Sequence, residues 1–144
     1  MYRGAMECDV AADARPHLRA MSDGRQALGA LGERIAARWL VAKGWEVVAH
    51  RFRSGHRDLD LVVRRSGEVA FVEVKARRTL AFGDPIEAVG WRKRRELARS
   101  AWVWIERWGQ PGEAYRFDVI GVLVTASGVR IRHVEHAFDL SPPS

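Results

Sequence analysis

Apolar residues recur at helical spacing over residues 28–43, where Leu28, Leu31, Ile35, Trp39 and Ala42 fall on one stripe. Arg34 and Arg38, four apart, mark a solvated edge, and Gly44 supplies a C-terminal stop. Glu33 does not share the arginine edge. It projects with Ala36, Ala37 and Leu40, a face otherwise apolar or small, where a carboxylate is costly unless a cation compensates it. Past Gly44 the period changes. Residues 45–53 alternate loosely, Ser54-Gly55 signals a turn, and residues 58–64 predict a second strand. Ser66-Gly67 predicts a tight connection into residues 68–77. There Val69, Ala70, Phe71, Val72 and Val74 put apolar side chains on both faces, the mark of a central strand buried on two sides. The short connections make these three strands an antiparallel meander.

A loop with Gly83 and Pro85 leads to a second helix over residues 87–108, with Ala98, Ala101, Trp102 and Ile105 as its core stripe. Trp104 and Trp108, four apart, pack in the core or offer their rings to bases or a second subunit. Gln110-Pro111-Gly112 ends the helix, residues 115–124 form another apolar strand, and Ser127-Gly128 turns into a last strand over 129–134. Residues 1–24 show no periodicity and few large apolar side chains, which predicts a disordered tail ahead of one domain at 25–140. The order αβββαβ plus a final strand predicts an α/β (α+β) fold, a mixed central sheet flanked by helices.

The length of 144 residues suits one domain, and 47% hydrophobic with 29% charged residues is an ordinary globular balance. Cys8 is the only cysteine, so no intrachain disulfide forms. No apolar run nears the roughly 20 residues that span a bilayer, and the N-terminus has no apolar signal-like region. These features predict a cytoplasmic protein with no membrane partner. The net charge of +6 changes the picture more. Only Lys43, Lys75 and Lys93 are lysines, and the remaining basic residues are arginines, whose planar fork pairs bidentately with phosphate. A nucleic acid is the first candidate partner.

The chemistry concentrates where charge breaks the apolar pattern. Glu73 and Lys75, two apart in the 68–77 strand, share one face, while Val72 and Val74 point the other way. Asp58 and Asp60 share one face of the preceding strand, against Leu59, Leu61 and Val63. The tight turn brings Asp60 opposite Glu73 across one pleat. Two facing carboxylates repel, and a divalent cation relieves the repulsion. Mg²⁺, with Mn²⁺ as a substitute, fits oxygen ligands and keeps its waters. It would polarise a phosphate and acidify a bound water, with Lys75 positioning that water or facing the developing charge. The alternative is a cross-strand salt bridge of Lys75 to Asp60 or Glu73 on a solvated face. Arg77 and Arg78 follow as phosphate clamps, and Arg92, Lys93, Arg94, Arg95 and Arg99 give the second helix a basic half suited to a phosphate backbone. Asp118 interrupts a later apolar strand, where it orients Lys75 or pairs with an arginine; a structural role is favoured. His133 and His136 have no third ligand nearby and are read as incidental.

These residues carry a resemblance. Asp60 followed thirteen residues on by Glu73-Val74-Lys75 resembles the PD-(D/E)xK nuclease motif. Gly32-Glu33, Arg53, Asp58-Leu59-Asp60-Leu61, Phe71-Val72-Glu73-Val74-Lys75-Ala76-Arg77, Phe82-Gly83, Lys93, Arg116-Phe117-Asp118-Val119 and Ala137-Phe138 resemble the YraN-type bacterial family, over roughly residues 28–138. That family is similar to archaeal Holliday-junction resolvases. The resemblance implies a restriction-endonuclease-like core and a metal-dependent endonuclease acting on branched DNA. It implies metal held by Asp60 and Glu73, Lys75 as the catalytic lysine, and Glu33 as an additional acid. Arg53, Arg77, Arg78, Arg92 and Lys93 are the expected nucleic-acid contacts. Resolvases of this kind work as two-fold dimers, which implies a homodimer. The sequence departs from the family pattern at Arg57-Asp58, where the family has Gly-Glu, and at Arg51, where it has Asn. Those departures keep two other functions open: a nucleic-acid-binding module without cleavage, and a scaffold that docks on a DNA-processing partner through the tryptophan-bearing helix.

Overall fold

The computed structural model describes residues 21–79 and 89–140. Helix α1 (Met21–Ala42) is followed by strands β1 (Glu46–Phe52), β2 (Leu59–Arg65) and β3 (Glu68–Arg77), helix α2 (Trp91–Trp108), and strands β4 (Ala114–Thr125) and β5 (Gly128–Phe138). One five-stranded sheet has the order β1-β2-β3-β4-β5. All neighbours are antiparallel except β3 and β4, which run parallel. A parallel pair needs a crossover, and α2 lies within it. The mixed sheet flanked by helices, in the expected element order, is what the hydrophobic pattern predicts.

Two cores cover the two sheet faces. On the α1 side, Ile35, Trp39 and Leu40 pack on Leu61, Val63, Ala70, Val72, Ile120 and Val122. On the α2 side, Leu97, Ala101 and Trp104 pack on Val62, Val69, Phe71, Phe117 and Val119. Burial on both sides explains the unbroken apolar run of β3. The end of α1 is a Schellman motif: Trp45 N–H donates to Leu40 O and Gly44 N–H to Val41 O, with Gly44 at φ +95°. The β2–β3 turn places Ser66 at φ 51° and Gly67 at φ 78°, as a type I′ connection requires.

Several boundaries differ from the expected ones. Helix α1 starts at Met21, not residue 28. Residues 24–27 are exposed, so no apolar stripe announces that first stretch, and its first residues fall within the segment expected to be a tail. The rest of that segment, residues 1–20, lies outside the described residues, as do Phe82, Gly83 and Pro85. Helix α2 starts at Trp91, with Val89 and Gly90 extended ahead of it. Val89 is buried in the α2-side core, and Glu87, at the expected start of the helix, lies outside the described residues. Trp104, not Trp102, is the buried tryptophan; its ring meets Phe71 edge-on at 5.7 Å. Asp58 precedes β2 rather than sharing its face with Asp60, and Leu59 joins the α2-side core, apart from Leu61 and Val63. Strand β5 runs on to Phe138, which stacks on Phe117 at 4.6 Å. Its alternation is broken by the left-handed His136 (φ 51°), so the sequence pattern stops early. Among the described residues no helix is long and apolar enough to cross a membrane.

Candidate active site

Glu73 and Lys75 leave β3 on the α2 side of the sheet, with Phe71 and Val69 below them in the same row. Glu73 is buried, and two ammonium groups close on one of its oxygens. Lys75 Nζ lies 3.3 Å and Lys93 Nζ 2.7 Å from Oε2. Lys93 comes from the first turn of α2, so the helix is tied to β3 at this point. Asp60 stands at the start of β2, and its Oδ2 accepts the Val74 N–H at 2.8 Å. Burial is the first cause that pushes the Asp60 carboxyl from 3.8 up to about 7, and the nearby Glu73 carboxylate is the second. The Lys75 ammonium is held below its ordinary value, first by burial and then by its contact with Lys93, against the pull of Glu73. A carboxyl whose charge burial and a neighbouring carboxylate disfavour, beside a lysine whose charged form burial disfavours, forms an acid–base cluster.

Glu33 reaches the same region from α1. The helix can come this close to β3 because residue 32 is glycine: a Cβ there would stand 2.7 Å from Ala76 Cβ. Glu33 is buried, and its field contributes to the raised Asp60 pKa. Its cation is Arg51, which donates from Nη2 to both Glu33 oxygens at 3.1 and 3.0 Å. Arg51 holds a left-handed φ of 53°. A carboxylate on an apolar helix face is thus compensated as its cost demands.

The cluster opens into a cleft of about 700 Å³, lined by Asp60, Glu73 and Lys93 together with Arg57, Asp58 and Arg99. The β1–β2 loop forms one wall and α2 the other. Ser100, fully buried on α2, pins the two together. Its hydroxyl accepts the Arg57 N–H at 3.2 Å and donates to the Arg57 carbonyl, and Ser54 Oγ donates to it at 2.9 Å. Arg57 adds an ion pair to Glu96. Asp58 pairs with the exposed Arg53 at 3.5 Å. Arg78 and Arg92 are exposed, and Arg77 follows Lys75 on the same face, its buried Nε without a hydrogen-bond partner.

Asp60, Glu73, Lys75, Lys93 and Glu33 are therefore brought together, whereas Arg53 and Arg78 lie on the surface around them. Pattern reading assigned Lys93 only to the phosphate track and missed Arg51 and Ser100 as partners. One signal could have found Lys93. In a chain whose cations are nearly all arginine, two of the three lysines meet on Glu73. Lysine, unlike arginine, gives up its proton readily when buried. Among the described residues no three His, Cys, Asp or Glu side chains form a ready metal cage. Asp60 and Glu73 offer two carboxylates, a donor set that suits a cation completing its shell with water and phosphate.

Asp118 sits elsewhere, in a second charged cluster across β3, β4 and β5. It is fully buried and pairs with Arg116 Nη2 at 3.1 Å and His133 Nε2 at 2.7 Å, while its other oxygen accepts the His136 N–H at 3.1 Å. His133 and His136 are thus structural partners of Asp118, not incidental residues. Their spacing hid this, because the contact depends on the left-handed turn at His136.

Comparison with known proteins gives the family. The profile of the Uncharacterised protein family UPF0102 matches residues 32–122, a span that runs from Gly32 through all the clustered residues. A UPF0102 protein of Nocardia farcinica is 48% identical over 101 residues, which cover 70% of this chain and 80% of the relative. One of Trichlorobacter lovleyi is 43% identical over 120 residues, covering 82% and 94%. One of Beutenbergia cavernae is 44% identical over 111 residues, covering 76% and 94%. With a matching profile and relatives aligned over most of their length, this chain belongs to the UPF0102 (YraN-type) family of the restriction-endonuclease-like superfamily.

Proposed function

We propose that the protein is a metal-dependent endonuclease that hydrolyses phosphodiester bonds in branched DNA. The observation that carries this reading is the convergence of Asp60, Glu73 and Lys93 on one cleft whose wall is the basic helix α2, with Lys75 ion-paired to Glu73 beside them. Asp60 and Glu73 are the residues to hold Mg²⁺ or Mn²⁺, since a cation relieves the repulsion that raises the Asp60 pKa. Bound there, the ion supplies Lewis acidity toward the scissile phosphate and an acidified water. Lys75, with its lowered pKa, takes the proton of the attacking water as its oxygen bonds to phosphorus. The bond to the leaving sugar oxygen breaks, and that oxygen takes a proton from solvent. Lys93 moves from Glu73 toward the charge that builds on the phosphoryl oxygens. Arg77, Arg92 and Arg99 contact flanking phosphates, which positions the strand without reading its sequence. A two-fold dimer would present two such clefts to two strands.

The test is nicking of a four-way or forked DNA by the purified protein with Mg²⁺ or Mn²⁺. Asp60→Ala should lower the rate by about a thousandfold, the scale of losing one charge-stabilising group in a site. Full activity in that variant would rule the mechanism out. A specific feature favours a second reading: the acids already have cations in place, Lys75 and Lys93 on Glu73 and Arg51 on Glu33. A binding module without cleavage would show salt-sensitive DNA binding that persists in EDTA, with no turnover on any substrate.

A further inference from the structure

Two tryptophans stand out in solvent, Trp91 at 66% exposure and Trp108 at 52%. Trp108 forms the rim of the α2-side core, edge-on to Phe52 at 5.8 Å and beside Trp104 at 6.3 Å. Trp91 has no such ring neighbour among the described residues. Its one ring contact there is the Arg95 guanidinium, 5.5 Å from the ring centroid. A single exposed apolar side chain is common on a protein surface, so its setting decides what it means.

Its place is as telling as its exposure. Trp91 opens α2, two residues before Lys93, which touches Glu73. Arg92, Arg95 and Arg99 follow at spacings of three and four, so they share one side of the helix. Arg99 lines the cleft. A strip of positive charge therefore runs from the cleft wall to the ring. At 1.5 Å per residue the ring lies roughly 12 Å along the helix from Arg99, about three or four nucleotides of a strand rising 3.4 Å each. Arg95 stands over one face of the indole, and the ring is 66% exposed, so it can take a flat π system, with the arginine strengthening the stack through its charge. A base inside a duplex has both faces covered by its neighbours and cannot use such a surface. An unpaired base can.

The geometry points to Trp91, backed by Arg95, as a stacking platform for an unpaired base of the strand whose phosphates lie along Arg92, Arg95 and Arg99. The substrate class is then DNA with single-stranded character beside the cleft, a fork or flap, in preference to a fully paired duplex. This rests on the nucleic-acid reading of the cleft but not on cleavage.

The experiment is fluorescence anisotropy in EDTA, with dye-labelled forked DNA and a blunt duplex of equal length. The unmodified protein should bind the fork more tightly. Trp91→Ala should weaken fork binding about tenfold, the scale of losing one base–aromatic stack, and duplex binding by less than about twofold, since phosphate contacts remain. Trp91→Phe should keep most of the fork affinity. A 2-aminopurine placed in the unpaired arm should change its fluorescence on binding the unmodified protein and not on binding Trp91→Ala. Equal weakening on both DNAs, or none on either, overturns the platform. Binding requires no metal, so the two readings fail separately. A Trp91-dependent fork preference without nicking in Mg²⁺ supports the platform while removing the nuclease. Nicking that ignores Trp91→Ala removes the platform alone.

Discussion

The two charged clusters of the sheet make opposite uses of the same sequence signal. Glu73 and Asp118 both interrupt an apolar strand, and both are buried. Asp118 is enclosed: Arg116, His133 and the His136 backbone saturate its oxygens, and Glu68 takes the other side of Arg116 at 3.2 Å. Such a network holds β4 and β5 in register and has no open valence for a ligand. The Asp60–Glu73 cluster is open. Its carboxylates repel, the Asp60 pKa is driven up to about 7, and its space is a cleft rather than protein. A buried charge points to function when its cluster opens onto a cleft, and to structure when a closed network surrounds it.

That contrast breaks most sharply under substitution. The largest expected effect is the loss of cleavage in Asp60→Ala, and it should come with little loss of stability, because losing the bond from the Val74 N–H is offset by removing a carboxylate that burial and Glu73 disfavour. Asp118→Ala should do the reverse. It breaks the buried pair with Arg116, which keeps its bond to Glu68, and takes the carboxylate away from His133, which costs about 3–5 kcal/mol for a broken buried pair, read as a fall in denaturant midpoint. If both variants lost stability alike, the clusters would not differ as the geometry says.

Much of this was legible beforehand. The antiparallel meander of the first three strands, the tight turn at Ser66-Gly67 and the pairing of Asp60 with the Glu73 strand follow from period-two patterning and turn chemistry, both local properties, whereas the parallel pairing of β4 with β3 does not. The Glu33 anomaly was also visible, as a carboxylate on an apolar helix stripe. What could not be read were the partners. Arg51 reaches Glu33 from a strand residue held at a left-handed φ, and Ser100 binds a loop more than forty residues earlier in the chain. His133 meets Asp118 across the β4–β5 pairing, beside a bulge. Each depends on tertiary register, which no local window contains. Trp104 packs in the core as one of its two expected roles, but Trp102 does not join it for a similar reason, since the actual stripe runs through Leu97, Ala101 and Trp104 and is set by the sheet that α2 covers.

The pH dependence of stability sharpens the contrast next. The folded protein holds the Asp60 proton up to about pH 7, whereas the unfolded chain releases it near 3.8. Between those values the folded state binds more protons, so this group's contribution is fully present below about 4 and is lost as the pH rises through about 7. In EDTA the melting temperature should therefore fall over that window in the unmodified protein, and Asp60→Asn should flatten the fall. Added Mg²⁺ should raise the melting temperature more at pH 8 than at pH 5, since it competes with the proton for the carboxylate. Parallel profiles for Asp60→Asn and the unmodified protein would show that Asp60 is not the strained group.

The smallest effect is expected at Gly32→Ala, where two contributions nearly cancel. Alanine favours the helix over glycine by about 1 kcal/mol. Against this, the new methyl would stand 2.7 Å from Ala76 Cβ, a contact that neither a short side chain nor a central strand can relieve without moving backbone. Overpacking of that kind costs about 1–3 kcal/mol, so the net should be a loss of about 1 kcal/mol. The open cluster should feel it more than the global stability does. Moving α1 off β3 carries Glu33 away from Asp60, so the nicking rate should fall further than the stability loss explains, while the Asp118 network on the far strands stays intact. A Gly32→Ala protein that nicked at the unmodified rate would show that the close approach of α1 serves packing alone, and that Glu33 has no part in the site.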